Sequence, residues 1–156
     1  MQAINPQARS LLDQINRQFT ECNAVYHAVA QRCGLSDAAF WTLYALYTNP
    51  EPQTQNRISA EWGLPKQTLN SAVAAMAKKG LVALCPGKGA HSGKLVTLTD
   101  EGRTLAERTV GAVILAEQQA ITAMGLADCA QYCKLGQAYM ASLRREFEHI
   151  QKQEQL

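Results

Sequence analysis

From about Asn5 to Arg32 the apolar side chains return every three or four residues, at Leu11/Leu12, Ile15, Phe19, Cys22, Tyr26, Val29 and Cys33. That spacing winds one stripe down a long helix, and Gly34 ends it. Ser36 is placed to cap a second helix, Asp37 to Thr48, with Asp37 favourable in its first turn. Phe40, Trp41, Leu43, Tyr44, Leu46 and Tyr47 crowd this helix before the two prolines of NPEPQ (49–53) break it. Thr54 caps a short helix, QNRISAEW, closed by Gly63. Pro65 opens the next, KQTLNSAVAAMAKK, which runs to Gly80. Here Leu69, Ala72, Val73 and Met76 fall on one side, and Lys66, Gln67, Asn70, Ser71, Ala74 and Lys78 on the other.

After Gly80 the period shortens towards two. LVAL (81–84) and KLVTLT (94–99) predict strands around CPGKGAHSG (85–93), a β-hairpin with a glycine-rich tip. Two further helices follow, about Asp100–Ala123 and Leu126–Gln151. In the last, Cys129, Cys133, Gly136, Met140, Leu143, Phe147 and Ile150 alternate four and three apart, a coiled-coil-like seam. The predicted fold is mainly α with a small β-hairpin wing: a winged helix-turn-helix flanked by long terminal helices.

This order carries the functional expectation. The major groove of DNA admits one helix, whose exposed side chains near its N-terminus reach base edges. Gln67 and Asn70 have amides suited to bidentate bonds with adenine, and Thr68 and Ser71 suit bases or phosphates. Lys66 and Lys78 suit phosphate, and a hairpin bearing Lys88, His91 and Lys94 suits the backbone or the adjacent minor groove. A polar face of this kind also occurs on an ordinary surface helix.

Charge sharpens the picture locally. The net charge is only +2, yet Leu64 to Thr99 holds no acidic residue and carries Lys66, Lys78, Lys79, Lys88 and Lys94. That is a basic footprint for a polyanion. Apolar residues at 47% and charged residues at 18% indicate a packed core rather than a disordered chain.

LPKQTLNSAVAAMAKKGLV (64–82), the Gly/Lys hairpin and LVTLTDEG (95–102) resemble the core of the MarR family of transcriptional regulators. Thr68, Val73, Met76 in place of Leu, Gly80, Leu81, Val82, Leu98, Thr99 and Gly102 occupy the positions of that pattern. Two positions depart from it: Ser71 stands where the recognition helix commonly has Arg, and Ser92 near the usual wing Arg. The resemblance implies one domain over 1–156, with 36–100 as the DNA-binding part and 5–33 and 103–151 interlocking with a second copy. It also implies a palindromic double-stranded DNA operator and a small phenolic or aromatic effector between the dimer helices and the DNA-reading part. Tyr26, Trp41, Tyr44, Tyr47 and Met140 are the candidate lining, and the same side chains fit a packed core. A stripe on a helix of about 28 residues, too long to be satisfied within one small domain, agrees with dimerisation; folding back on the same protomer is the alternative.

Other classes are less well served. Five scattered cysteines (22, 33, 85, 129, 133), with no apolar leader and no stretch long enough to span a membrane, point to free thiols in the cytoplasm. Cys85 is the most plausible exposed thiol. His27, His91 and His149 lack metal-ligand spacing, so no metal or cofactor is expected. No P-loop, G-x-S-x-G or HExxH motif suggests an enzyme. The main alternative is a winged-helix dimer that serves as a protein-interaction module without specific DNA binding.

Overall fold

Asn5 accepts hydrogen bonds from the amides of Gln7 and Ala8 at 2.9 and 3.2 Å, and α1 runs on as Pro6–Arg32. The computed structural model describes residues 5–87 and 94–153. In it the chain divides into two compact units, residues 1–111 and 112–156.

In the first unit α2 (Asp37–Thr48) is the pillar. Its length is almost wholly apolar, and Phe40, Leu43, Ala45 and Leu46 are buried. The one hydroxyl buried among them, Thr42, donates back to the Ala38 carbonyl at 2.6 Å, so it costs the core no unmet bond. Around α2 pack α1, α3 (Gln55–Trp62), α4 (Lys66–Lys78), α5 (Asp100–Ala106) and a small sheet. Ile58, Leu69, Val73, Met76, Val96, Ala106 and Val110 close the core.

The sheet has three antiparallel strands in the order β1 (Gln53–Thr54), β3 (Leu95–Leu98), β2 (Val82–Cys85). The β2–β3 pairing is the expected hairpin, with Val82 opposite Leu98 and Cys85 opposite Leu95. Strand β1 was not expected. Its Gln53 pairs with Val96 and is 1% exposed. The Gln53 Nε2 donates to the carbonyls of Ala45 (3.0 Å) and Asn49 (3.1 Å). The Ala45 carbonyl also accepts from the Asn49 amide at 3.2 Å, so the Gln53 side chain adds a further bond that ties β1 to the end of α2.

Thr99 fastens the hairpin to α5. Its hydroxyl donates to the Gly80 carbonyl at 2.6 Å and accepts from the Gly102 amide at 3.0 Å, while its own amide donates to the Leu81 carbonyl at 3.1 Å. One residue thereby ties the end of α4, the base of the hairpin and the cap of α5. After α5 the helix widens into a π turn, Glu107–Gly111, where the Tyr47 hydroxyl lies in the space that a side chain at Gly111 would approach.

The second unit is a helical hairpin of α6 (Ala112–Met124) and α7 (Leu126–Gln153), turned at Gly125. No residue from 112 to 152 is buried. Along the expected seam Cys129 and Leu143 are half-buried, while Cys133, Gly136, Met140, Phe147 and Ile150 are exposed.

Candidate nucleic-acid interface

The turn between α3 and α4 is held from both sides. Gly63 adopts φ +62°, a conformation that favours glycine, and this lets the Leu64 amide reach back to the Ser59 carbonyl at 3.2 Å. The Ser59 hydroxyl donates to the Leu64 carbonyl at 2.7 Å. Pro65 then supplies the extended residue before α4, and no side chain among the described residues caps that helix. Its first amides and the positive end of its dipole are thus open to an anion.

The two faces of α4 separate as the sequence indicated. Leu69, Ala72, Val73 and Met76 are buried, whereas Lys66, Gln67, Thr68, Asn70, Ser71, Ala74, Ala75 and Lys78 are exposed. Among the described residues, Gln67 and Asn70 form no side-chain hydrogen bond and Lys66 and Lys78 no ion pair. Ser71 donates its hydroxyl proton to the Gln67 carbonyl at 3.0 Å, which leaves its oxygen as an acceptor. The small Ala74 and Ala75 allow close approach of a surface to the helix. Lys94 is exposed just before β3; Lys88 and His91 lie outside the described residues.

An open groove separates this face from the start of α2. It is lined by Ser36 and Asp37 on one side and by Pro65, Gln67, Thr68 and Ser71 on the other. Asp37 was read from sequence only as a helix-start residue. Its place beside α4 follows from the packing of α2 on α4.

Of the candidate ligand-lining residues, Tyr26, Trp41 and Tyr44 come together. The Tyr26 and Trp41 ring centres are 4.8 Å apart, and those of Trp41 and Tyr44 5.6 Å. Trp62, which the sequence reading left out, completes the cluster by stacking on Trp41 at 5.4 Å and meeting Tyr44 at 5.0 Å. Tyr47 stands apart, against Gly111. Met140 belongs to the second unit and is 38% exposed.

All five cysteines are free thiols, with Cys22, Cys85 and Cys133 exposed. Among the described residues no group of His, Cys, Asp or Glu side chains could hold a metal ion. No single helix there is long and apolar enough to cross a membrane.

Residues 34–91 match the family model described as MarR family. No curated protein sequence matches the chain. Solved structures do. A MarR family regulator from Neisseria meningitidis, NMB1585, is 23% identical, with 85% of this chain and 97% of that one covered at a TM-score of 0.64. NadR in complex with 4-hydroxyphenylacetate is 15% identical, with 86% and 93% covered at a TM-score of 0.64. Staphylococcus aureus MarR in complex with salicylate and kanamycin is 18% identical, with 75% and 77% covered at a TM-score of 0.56. At these identities the likeness speaks for the fold, and the family match speaks for the segment that contains α2 to α4. Residues 34–91 thus resemble the MarR family in sequence, and the chain has the fold of the solved MarR-family transcriptional regulators.

Proposed function

We propose that the protein is a homodimeric, sequence-specific DNA-binding repressor that is released by a small aromatic ligand. The observation that carries this reading is the uncommitted polar face of α4, set on a helix whose opposite face is locked into the core. In this reading Gln67 and Asn70 read base edges, Thr68 and Ser71 contact bases or phosphates, and Lys66, Lys78 and the hairpin residues Lys88, His91 and Lys94 meet the backbone. The second copy packs on the apolar sides of the long helices, where Phe19, Leu115, Leu135 and Phe147 are each more than half exposed in the single chain. Two α4 helices then address half-sites about one helical turn apart. Tyr26, Trp41 and Tyr44, whose rings come together, are the proposed effector contacts. The phenolic ligands in the relatives' structures, salicylate and 4-hydroxyphenylacetate, support that chemistry.

Selection of bound duplexes from a random pool tests the proposal. A palindrome with half-sites one helical turn apart is expected, and recovery of unrelated sequences would overturn it. On a selected site, Gln67→Ala or Asn70→Ala is expected to cost about 1–3 kcal/mol, with little change on random duplex. Equal losses on both would remove base reading from these residues. Lys94→Ala is expected to weaken both duplexes alike and to lower the slope of log affinity against log salt by about one contact for each protomer. An unchanged slope would take the hairpin out of the interface.

A further inference from the structure

The groove beside α4 contains one charged side chain, and its sign is wrong for a polyanion. Asp37 is the only charged residue of α2 and, among the described residues, the only one that lines the groove. It is held from behind by α1: the His27 Nδ1 lies 2.9 Å from one carboxylate oxygen and 3.0 Å from the other. Both side chains are about half exposed, at 56% and 52%. Such a surface pair adds little to folding, so its placement is open to another explanation. An acid alone at the rim of a duplex-binding face repels phosphate. The same acid with a protonated imidazole against it is neutral as a pair.

We propose that His27 and Asp37 form a proton-dependent gate on the DNA-binding face: protonation of His27 masks Asp37 and favours duplex binding, and loss of that proton uncovers the carboxylate and weakens it. The inference rests on the α4 reading above. Histidine is the side chain whose charge ordinarily changes between about pH 5 and 8. A nearby phosphate favours the charged imidazole. Binding therefore takes up a proton, and affinity falls as pH rises.

Among the described residues of α1 and of the elements packed on α2, no other group is placed to substitute for this pair. One turn to either side of His27 on α1 stand Asn23, Ala24, Ala30 and Gln31, all uncharged. The other titratable groups of α2 are Tyr44, in the ring cluster, and Tyr47, at Gly111. Of the elements packed on α2, α3 brings Arg57 and Glu61, which pair with each other at 2.8 Å, and α4 brings Lys66 and Lys78, outside the groove lining. Asp100, Glu101 and Arg103 of α5 and Glu107 and Arg108 of the π turn belong to elements that also pack on α2. The π turn meets it at Tyr47, about 15 Å along the helix from Asp37.

The test is the affinity of the full-length protein for a fluorescein-labelled duplex at low salt, measured from about pH 5 to 8. Wild type is expected to weaken about threefold per protomer, or about tenfold for a dimer on two half-sites, as pH rises. His27→Gln should bind near the wild-type high-pH level throughout, and Asp37→Asn should bind at high pH as tightly as wild type does at low pH, keeping only the slope of its own imidazole charge. His149→Gln should keep the wild-type profile. A flat wild-type profile, or a wild-type slope that survives unchanged in His27→Gln, would overturn the gate and leave DNA binding standing. Absence of binding at every pH would remove the DNA-binding reading and the gate with it. Helix content by circular dichroism confirms that each variant is folded.

Discussion

Gly102→Ala is expected to destabilise the protein by about 3 kcal/mol or more, a cost at the upper end of overpacking. For a chain of this size that lowers the thermal midpoint by on the order of 10 °C, as circular dichroism would show. Gly102 lies in the first turn of α5 and is buried. A Cβ added there would collide with the backbone carbonyl of Leu81. Backbone cannot swing aside as the tip of a side chain can. Relief requires α5 to move off the turn that ends α4, and three hydrogen bonds oppose that movement. They run from Thr99 Oγ1 to the Gly80 carbonyl, from the Gly102 amide to Thr99 Oγ1, and from the Thr99 amide to the Leu81 carbonyl. Thr99→Ala keeps the close approach but removes the cap and the bond to Gly80, and is expected to cost about 1–2 kcal/mol. A Gly102→Ala protein that melts with wild type would show that α5 does not pack this closely. The pair Thr99 and Gly102 thus has a physical reason in this chain: it sets how near the helix after the hairpin comes to the end of α4.

Much of this arrangement is legible in sequence because its causes are local. Ser36, Thr54 and Gly63 mark the limits of α2 and α3 through caps and a turn that involve neighbours only. The buried and exposed sides of α4 follow from the spacing of Leu69, Val73 and Met76. What escaped the sequence depends on partners far along the chain. Strand β1 is two residues long, sits after a proline-rich run and exists only because β3 is beside it. Trp62 ends a short helix, and nothing near it in sequence points to Trp41. Tyr47 was grouped with Trp41 and Tyr44 as candidate lining of a cavity between the dimer helices and the DNA-reading part. Six residues, however, carry a side chain about 120° round an α-helix, so Tyr47 faces Gly111 and not the ring cluster. His27 and Asp37 are ten residues apart on different helices, and only the packing of α1 on α2 brings them together. The seam on α7 is legible as a period, but its partner is not, since the period of one helix does not say what covers it.

Phe147→Glu combined with Ile150→Glu addresses that partner: wild type is expected to sediment as a dimer and the variant as a monomer. The reason is the lack of any interior in the second unit. Two helices meet at Gly125, yet none of their described side chains is buried, and Leu126, Tyr132, Leu135, Phe147 and Ile150 are 74%, 62%, 59%, 55% and 49% exposed in the single chain. Exposed aliphatic and aromatic side chains in that number, spread along one hairpin, would make a monomer prone to associate. Closure by a second copy satisfies both chains with the same surface. Charges placed in such a seam must be desolvated without partners, and at about 2 kcal/mol for each position the dimer constant rises by on the order of a thousandfold. DNA binding should follow the assembly. A dimer holds two half-sites at once, and its advantage over one α4 helix is about 10²- to 10⁴-fold. The double variant should lose that factor on a palindrome and almost nothing on a single half-site. If it still sediments as a dimer, α7 is not the interface. If it becomes monomeric yet binds the palindrome as wild type does, α4 does not act in pairs.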